Sequence, residues 1–408
     1  MEVTKPKICG ECGAVGAPLK CPCKVGLYCD VECQKESWHT HRKNCTYDLE
    51  RKLKKDRGRL GKDSVAIGDQ AFDLGLLFME QDRLDEADAW LLEALRIYRV
   101  VYGENNENVV AAMGNLGQIY RLQGKFEEAL KMHKQELRVA RRIHGSESTQ
   151  VATALNFVGS CHFEQGLYDQ AMEKLEEACE MYRGLSGEDD DDVATVLGDM
   201  TNVLRRQGKD AEALELGEKV LAIKRRQSDG SDDESLAITL LNLCSSYRQA
   251  KRTDEALERL EEGLSMLRRL HPERHSREGN FLGSIGSVYR QQGKLEEALA
   301  MHKKALRIYR KTVGPESAEM GRALGNISLV LRDQGKYEEA IEKYEESLAI
   351  MREELRNEHD EVARSLYTMA LCEEKAGDGG GAAECVREAH RIYTTRGISH
   401  GTAQDAAA

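Results

Sequence analysis

The stretch Asn115-Leu116-Gly117-Gln118-Ile119-Tyr120-Arg121-Leu122-Gln123-Gly124-Lys125-Phe126-Glu127-Glu128-Ala129 is the unit that this chain repeats. It closes a segment, residues 109–123, whose apolar side chains recur at helical spacing. Gly124 follows, where glycine relieves the strained backbone of a helix end. A second helix is expected over residues 126–142. The signature returns as Gln207-Gly208-Lys209 before Glu212-Ala213, Gln292-Gly293-Lys294 before Glu297-Ala298, and Gln334-Gly335-Lys336 before Glu339-Ala340. Marked by its alanine, it occurs at Ala87, Ala129, Ala171, Ala213, Ala256, Ala298, Ala340 and Ala382, every step 42 residues except one of 43. A fixed period of that size means a solenoid of stacked hairpins.

A second register runs in step with the first. Gly75, Gly117, Gly159, Thr201, Cys244, Gly286, Ser328 and Ala370 are small, again 42 or 43 apart, and belong where two helices approach closely. Leu116-Gly117-x2-Tyr120 with Ala129 resembles a tetratricopeptide repeat (TPR), and the long period and second helix are most similar to the kinesin light chain type. The resemblance covers residues 63–395 and implies a mainly α fold, a right-handed TPR solenoid of about eight helical hairpins.

Four residues beyond the small register stand Arg121, Arg205, Arg248, Arg290 and Arg332, and two residues before it Asn115, Asn242 and Asn326. Stacking aligns equivalent positions into a stripe. The resemblance places this end of the first helix beside a groove that binds extended peptides, with asparagines holding the peptide backbone. Arginine forks pair bidentately with carboxylate or phosphate, so the groove suits an acidic segment. The competing reading is that these arginines pair with acids of the neighbouring helix and only hold the stack together.

The first 45 residues hold seven cysteines and a paired histidine: Cys9-x2-Cys12, Cys21-x-Cys23, Cys29-x3-Cys33 and His41-x3-Cys45. Eight soft ligands in four close pairs fill two closed tetrahedral zinc sites, which are structural because no position is open to water. A segment this short needs the metal to fold. Read as disulfides, seven cysteines would leave one odd thiol. The pairs, with Tyr28-Cys29, Gln34 and Trp38-x2-His41, resemble a MYND-type zinc finger over residues 9–45. The resemblance implies interleaved sites, one from Cys9, Cys12, Cys29 and Cys33, the other from Cys21, Cys23, His41 and Cys45. Cys21-Pro22-Cys23 is one residue tighter than the family's usual pair. The resemblance also implies docking of short proline-rich motifs at Gln34 and Trp38, an indole beside an amide that suits a rigid extended ligand. Trp38 could equally pack the finger's own core.

Composition agrees with helices. The chain has 408 residues, 32% charged and 5% aromatic, with five prolines, a poor profile for a sandwich or barrel. No apolar run approaches the ~20 residues of a membrane span, and residues 1–10 lack the apolar core of a signal peptide. A cytoplasmic or nuclear setting with reduced cysteines is therefore expected. The net charge of −12 divides into +6 over residues 1–62 and −18 over 63–408. A basic head on an acidic body argues against nucleic acid coating the whole chain.

The domains expected are the finger at 1–46, a basic linker or helix at 47–62, the solenoid at 63–395 and a disordered tail at 396–408. Acidic residues at 189–192 and 228–234 read as solvated loops, without the glycine and terminal glutamate spacing of a calcium loop. Residues 379–381, three glycines, fall at the last turn and lack the Lys-Ser/Thr of a phosphate cradle. Cys161, Cys179, Cys244, Cys372 and Cys385 read as small core residues. His133 and His302 occupy equivalent places in their repeats. The favoured function is a non-catalytic adaptor that tethers two protein partners through short linear peptides, finger and solenoid each gripping one. A nuclear regulator whose basic head also contacts nucleic acid is the alternative, although the finger lacks the spacing that sets a helix in the major groove. A methyltransferase, which would join a MYND finger to a catalytic domain, finds no room: repeats begin within about 20 residues of the finger.

Overall fold

Each of the eight repeats is a helical hairpin, as its period requires. The computed structural model describes residues 19–20, 27–28, 46–273, 275–355 and 360–395. Two short strands, β1 (Leu19–Lys20) and β2 (Leu27–Tyr28), pair antiparallel with Leu19 opposite Tyr28. Helix α1 (Thr46–Leu60) precedes the repeats. The hairpins are α2 (Val65–Glu80) with α3 (Leu84–Tyr102), α4 (Glu107–Leu122) with α5 (Phe126–His144), and α6 (Thr149–Glu164) with α7 (Tyr168–Ser186). Five more follow: α8 (Asp191–Arg206) with α9 (Asp210–Ser228), α10 (Glu234–Gln249) with α11 (Thr253–Leu270), α12 (Ser276–Gln291) with α13 (Leu295–Thr312), α14 (Ala318–Asp333) with α15 (Tyr337–Leu355), and α16 (Asp360–Ala376) with α17 (Gly379–Thr395). The chain divides into two compact units, residues 1–185 and 186–408.

The turn inside each hairpin has one geometry. The amide of Lys125 donates to the Tyr120 carbonyl at 2.8 Å, closing a six-residue loop around Gly124, whose φ is +73°. The same bond recurs from Arg83 to Phe78, Lys209 to Leu204, Arg252 to Tyr247 and Lys336 to Leu331. This is the glycine C-cap of a helix. Asp82 and Lys251 occupy that left-handed position without being glycine.

The signature alanines from Ala87 to Ala340 are wholly buried. The small register makes the close approach expected of it. A Cβ added to Gly75 would lie 2.5 Å from Leu91, to Gly159 2.9 Å from Leu175, and to Gly286 2.8 Å from His302. The partner is always 16 residues ahead, on the second helix of the same hairpin. Where the first helix carries Thr201, the equivalent partner is itself a glycine, Gly217, against which Leu243 packs. The five repeat cysteines are buried.

Two expectations need correction. The acids at 189–192 and 228–234 are not simply loops. Asp190 and Asp233 cap α8 and α10, accepting from the amides of Asp192 and Leu236, while Asp191, Asp192 and Glu234 lie inside those helices. Residues 379–381 are not the last turn: α17 begins at Gly379, the turn glycine is Gly377 at φ +93°, and Asp378 accepts from the amides of Gly380 and Gly381. An aspartate before a helix satisfies amides that would otherwise lack partners, which outweighs the glycines' preference for a turn. Helix α1 packs on α2, with Leu53 buried and Arg57 paired to Glu93.

Candidate functional site

The five arginines expected to form a stripe lie in the last turns of α4, α8, α10, α12 and α14, all half-buried. Each of the first four reaches toward the next repeat, to the residue just past its own equivalent. Arg121 Nη1 is 3.8 Å from Glu164, Arg205 Nε donates to Gln249 Oε1 at 2.9 Å, Arg248 Nε donates to Gln291 Oε1 at 3.2 Å, and Arg290 Nη1 donates to Asp333 at 2.7 Å. Arg332 also donates to Asp333, its own neighbour, at 3.0 Å. The second unit therefore brings Arg205, Arg248, Arg290 and Arg332 into one row.

The partners divide the row. Arg290 and Arg332 share a carboxylate, as the stack-holding reading expects. Arg205 and Arg248 meet neutral amides. Arg205 also donates to Asn202 at 3.3 Å, and Gln291 returns a bond to the Arg248 carbonyl at 2.8 Å. Burial pulls the pKa of both below the usual arginine value, and a neighbouring guanidinium adds to the effect, Arg248 acting on Arg205 and Arg290 on Arg248. Both remain cations. Two half-buried charges whose hydrogen bonds end on dipoles, with Asp210 also acting on Arg205, form a surface whose natural counterion is a carboxylate or phosphate.

The asparagines are less uniform. Asn115 donates to the Ala111 carbonyl of its own helix at 2.9 Å. Asn242 is exposed and Asn326 half-buried. The expected metal ligands Cys9, Cys12, Cys21, Cys23, Cys29, Cys33, His41 and Cys45, with Gln34 and Trp38, lie outside the described residues, as does the tail at 396–408. Seven thiols and an imidazole are nevertheless the donor chemistry zinc takes. The β1–β2 ladder ends at Lys20 and Tyr28, the residues before Cys21 and Cys29 in sequence.

Sequence reasoning named His133 without its partners and missed one cluster. His133 is wholly buried, its Nδ1 2.7 Å from Glu136 and its ring stacked on Phe157 at 4.9 Å. Glu234, His271 and His275 offer ligand atoms within 4.8 Å of one another. Glu234 is engaged by Arg277, His275 Nδ1 accepts the Arg277 amide at 3.2 Å, and the two imidazoles stack. These groups are committed to the turn between α11 and α12.

Paired helices of nearly constant length and one turn geometry, offering a face of basic and amide side chains, define a solenoid of the helical-repeat class. Seven overlapping matches to the tetratricopeptide repeat run from residue 70 to 395, and the chain belongs to that family. Residues 9–45 match the MYND finger, from which zinc follows. The quorum sensor NprR from B. thuringiensis, in its apo form, is similar over 89% of this chain and 98% of that one, at 15% identity and TM-score 0.57. The Rap conjugation gene regulator of the plasmid pLS20, in complex with the Phr* peptide, is similar over 86% and 96%, at 14% identity and TM-score 0.54. A putative kinesin light chain of Podosopora anserina with TPR-like repeats is similar over 52% and 99%, at 18% identity and TM-score 0.45. For NprR and the Rap regulator, at these identities, the likeness is one of fold. The tetratricopeptide solenoid is typically a non-catalytic interaction fold, and finger and repeats together support a protein-interaction adaptor role.

Proposed function

We propose that this chain is a zinc-binding, non-catalytic adaptor of the cytoplasm or nucleus. Two ions organise the finger, which takes short motifs, proline-rich ones included, at Gln34 and Trp38. The second unit takes an acidic extended peptide along Arg205 and Arg248. The observation that carries this reading is the pair of neutral partners, Gln249 and Gln291, on those two arginines. A stack held by ion pairs alone has no use for amides there, because a carboxylate would hold the cation more strongly. Asn242, six residues before Arg248 on α10 and exposed, suits a peptide backbone. The Rap regulator's peptide complex is a precedent for a peptide held by this fold.

The test is an acidic peptide array probed with the full chain. Arg205→Gln with Arg248→Gln should weaken the strongest acidic binders by about tenfold or more. Arg290→Gln should weaken them less. Equal retention by the double variant would remove the groove from this reading and leave the finger as the gripping module.

A further inference from the structure

The second helices carry their own ladder of ion pairs, and its glutamate is missing at three steps, where Arg99, Arg183 and Arg268 have Gln135, Lys219 and Lys304 at that position. An arginine near the end of one second helix pairs with a glutamate 36 or 37 residues later, on the next. Arg141 meets Glu177 at 2.7 Å, Arg225 meets Glu262 at 2.8 Å, Arg352 meets Glu388 at 2.7 Å, and Arg57 of α1 meets Glu93 likewise. A neighbouring arginine reaches back 37 residues to an aspartate of the loop before its own hairpin. Arg226 holds Asp189 at 2.9 Å and Arg269 holds Asp232 at 2.7 Å.

At the first of these steps, from α3 to α5, both registers lose their acids. Arg99 has Gln135 at the glutamate position, and Arg142 has Asn105 at the aspartate position. Arg142 has no ion-pair or hydrogen-bond partner among the described residues. Arg138 spends only its Nε, on the Lys134 carbonyl at 3.2 Å. Arg99 turns instead to Glu104, a side chain 61% exposed on the loop between α3 and α4. At this gap lies an open cavity of about 280 Å³ lined by Arg99, Glu104, Met113, Gln135, Arg138, Val139 and Arg142, with Arg138 and Arg142 exposed.

We infer that this cavity binds a phosphate monoester carried on an apolar stem. Three arginines line it against one carboxylate, Glu104, and both acids that the ladder would place there are replaced by amides. A phosphate monoester carries close to two charges and three strong acceptor oxygens, which match that set better than one carboxylate does. Met113 and Val139 receive the stem, and Glu104, mostly in solvent, yields Arg99 to the stronger anion. The site belongs to the second-helix side of the first unit and is independent of Arg205 and Arg248.

The experiment is calorimetric titration of the full chain at low salt with phenyl phosphate, inorganic phosphate and benzoate. Phenyl phosphate should bind about tenfold or more tighter than either. Asn105→Asp with Gln135→Glu, which returns both acids to the ladder, should cost at least that factor while the thermal midpoint holds or rises. Arg226→Gln, in the second unit, should leave binding unchanged. A phosphotyrosine peptide tighter than phenyl phosphate would assign the monoester to a protein partner, and equal affinity to a small molecule. Phenyl phosphate no tighter than benzoate, or undiminished binding by the folded double variant, overturns the proposal.

Discussion

A Cβ placed on Gly117 would lie 2.8 Å from Cδ2 of His133 and nearer still to Cε1 and Nε2 of that ring. The glycine on α4 and the imidazole on α5 occupy one another's space, and Glu136 fixes the ring from behind through Nδ1. The hairpin closes only because one partner is nearly without volume. Gly117→Ala should therefore destabilise the chain by about 1–3 kcal/mol, the usual cost of overpacking a fixed core. Chemical denaturation read by circular dichroism measures it. An unchanged midpoint would mean that His133 moves aside freely.

Position, and not glycine as such, governs the effect. Gly283 lies inside α12 with nothing within 4 Å of a built Cβ and with φ outside the left-handed region. Gly283→Ala should stabilise by roughly 0.5–1 kcal/mol, since alanine gives up less conformational freedom on entering a helix. A loss of stability would point to a contact that the built Cβ does not meet.

The turn position offers the opposite substitution. Lys251 holds φ +59° where six equivalent turns, Gly124 and Gly293 among them, use glycine. Lys251→Gly should raise stability by about 1 kcal/mol, because a side chain in the left-handed region carries strain that glycine lacks. Comparison of unfolding midpoints with Lys336→Gly, just outside such a turn, isolates the conformational effect.

His302 gives the second unit a pH dependence of definite sign. It is 1% exposed, and burial first, then Arg290 and Arg248, lowers its pKa from 6.5 to about 4. Below pH 6.5 the unfolded chain takes up a proton that the folded one refuses. Its contribution is thus complete above pH 6.5 and falls as pH drops toward 4, by up to about 3 kcal/mol. His302→Leu should flatten stability over that window and still fold, since Leu91, Leu175 and Leu260 fill the equivalent place in other hairpins. Parallel slopes for variant and parent between pH 4 and 6.5 would contradict this.

The finger is tested by metal content. Elemental analysis of the purified chain should find about two zinc ions, and Cys9→Ser or Cys45→Ser should each lower the count by about one. Chelation should leave the far-ultraviolet helical signal nearly intact, because the hairpins of residues 65–395 bury their own apolar cores without metal. Collapse of that signal on chelation would tie the finger to the solenoid's stability.

Much of this architecture was legible in the one-dimensional pattern. The 42-residue period declared eight hairpins, Gly124 declared the turn, and the small residues declared the close approach. The arginine stripe was visible too, but its partners were not. Gln249, Gln291 and Asp333 lie 43 or 44 residues from Arg205, Arg248 and Arg290, so only the stacking of repeats reveals which cation meets an acid. The acids at 189–192 and 228–234 misled for a related reason. Composition alone reads them as solvated, whereas Asp190 and Asp233 are committed to helix ends and Asp189 and Asp232 to arginines.

Repetition is a property of the chain itself: a hairpin that cannot bury its apolar face alone, copied eight times, can only stack, so fold class and period needed no coordinates. Which small residue faces which large one did need them. Gly117 against His133 and Thr201 against Gly217 solve one packing problem with the volumes exchanged, and volume is shared only between surfaces in contact. The same holds for charge. An arginine is a rivet beside a carboxylate and a site for an anion beside an amide, and that choice belongs to its neighbour in space.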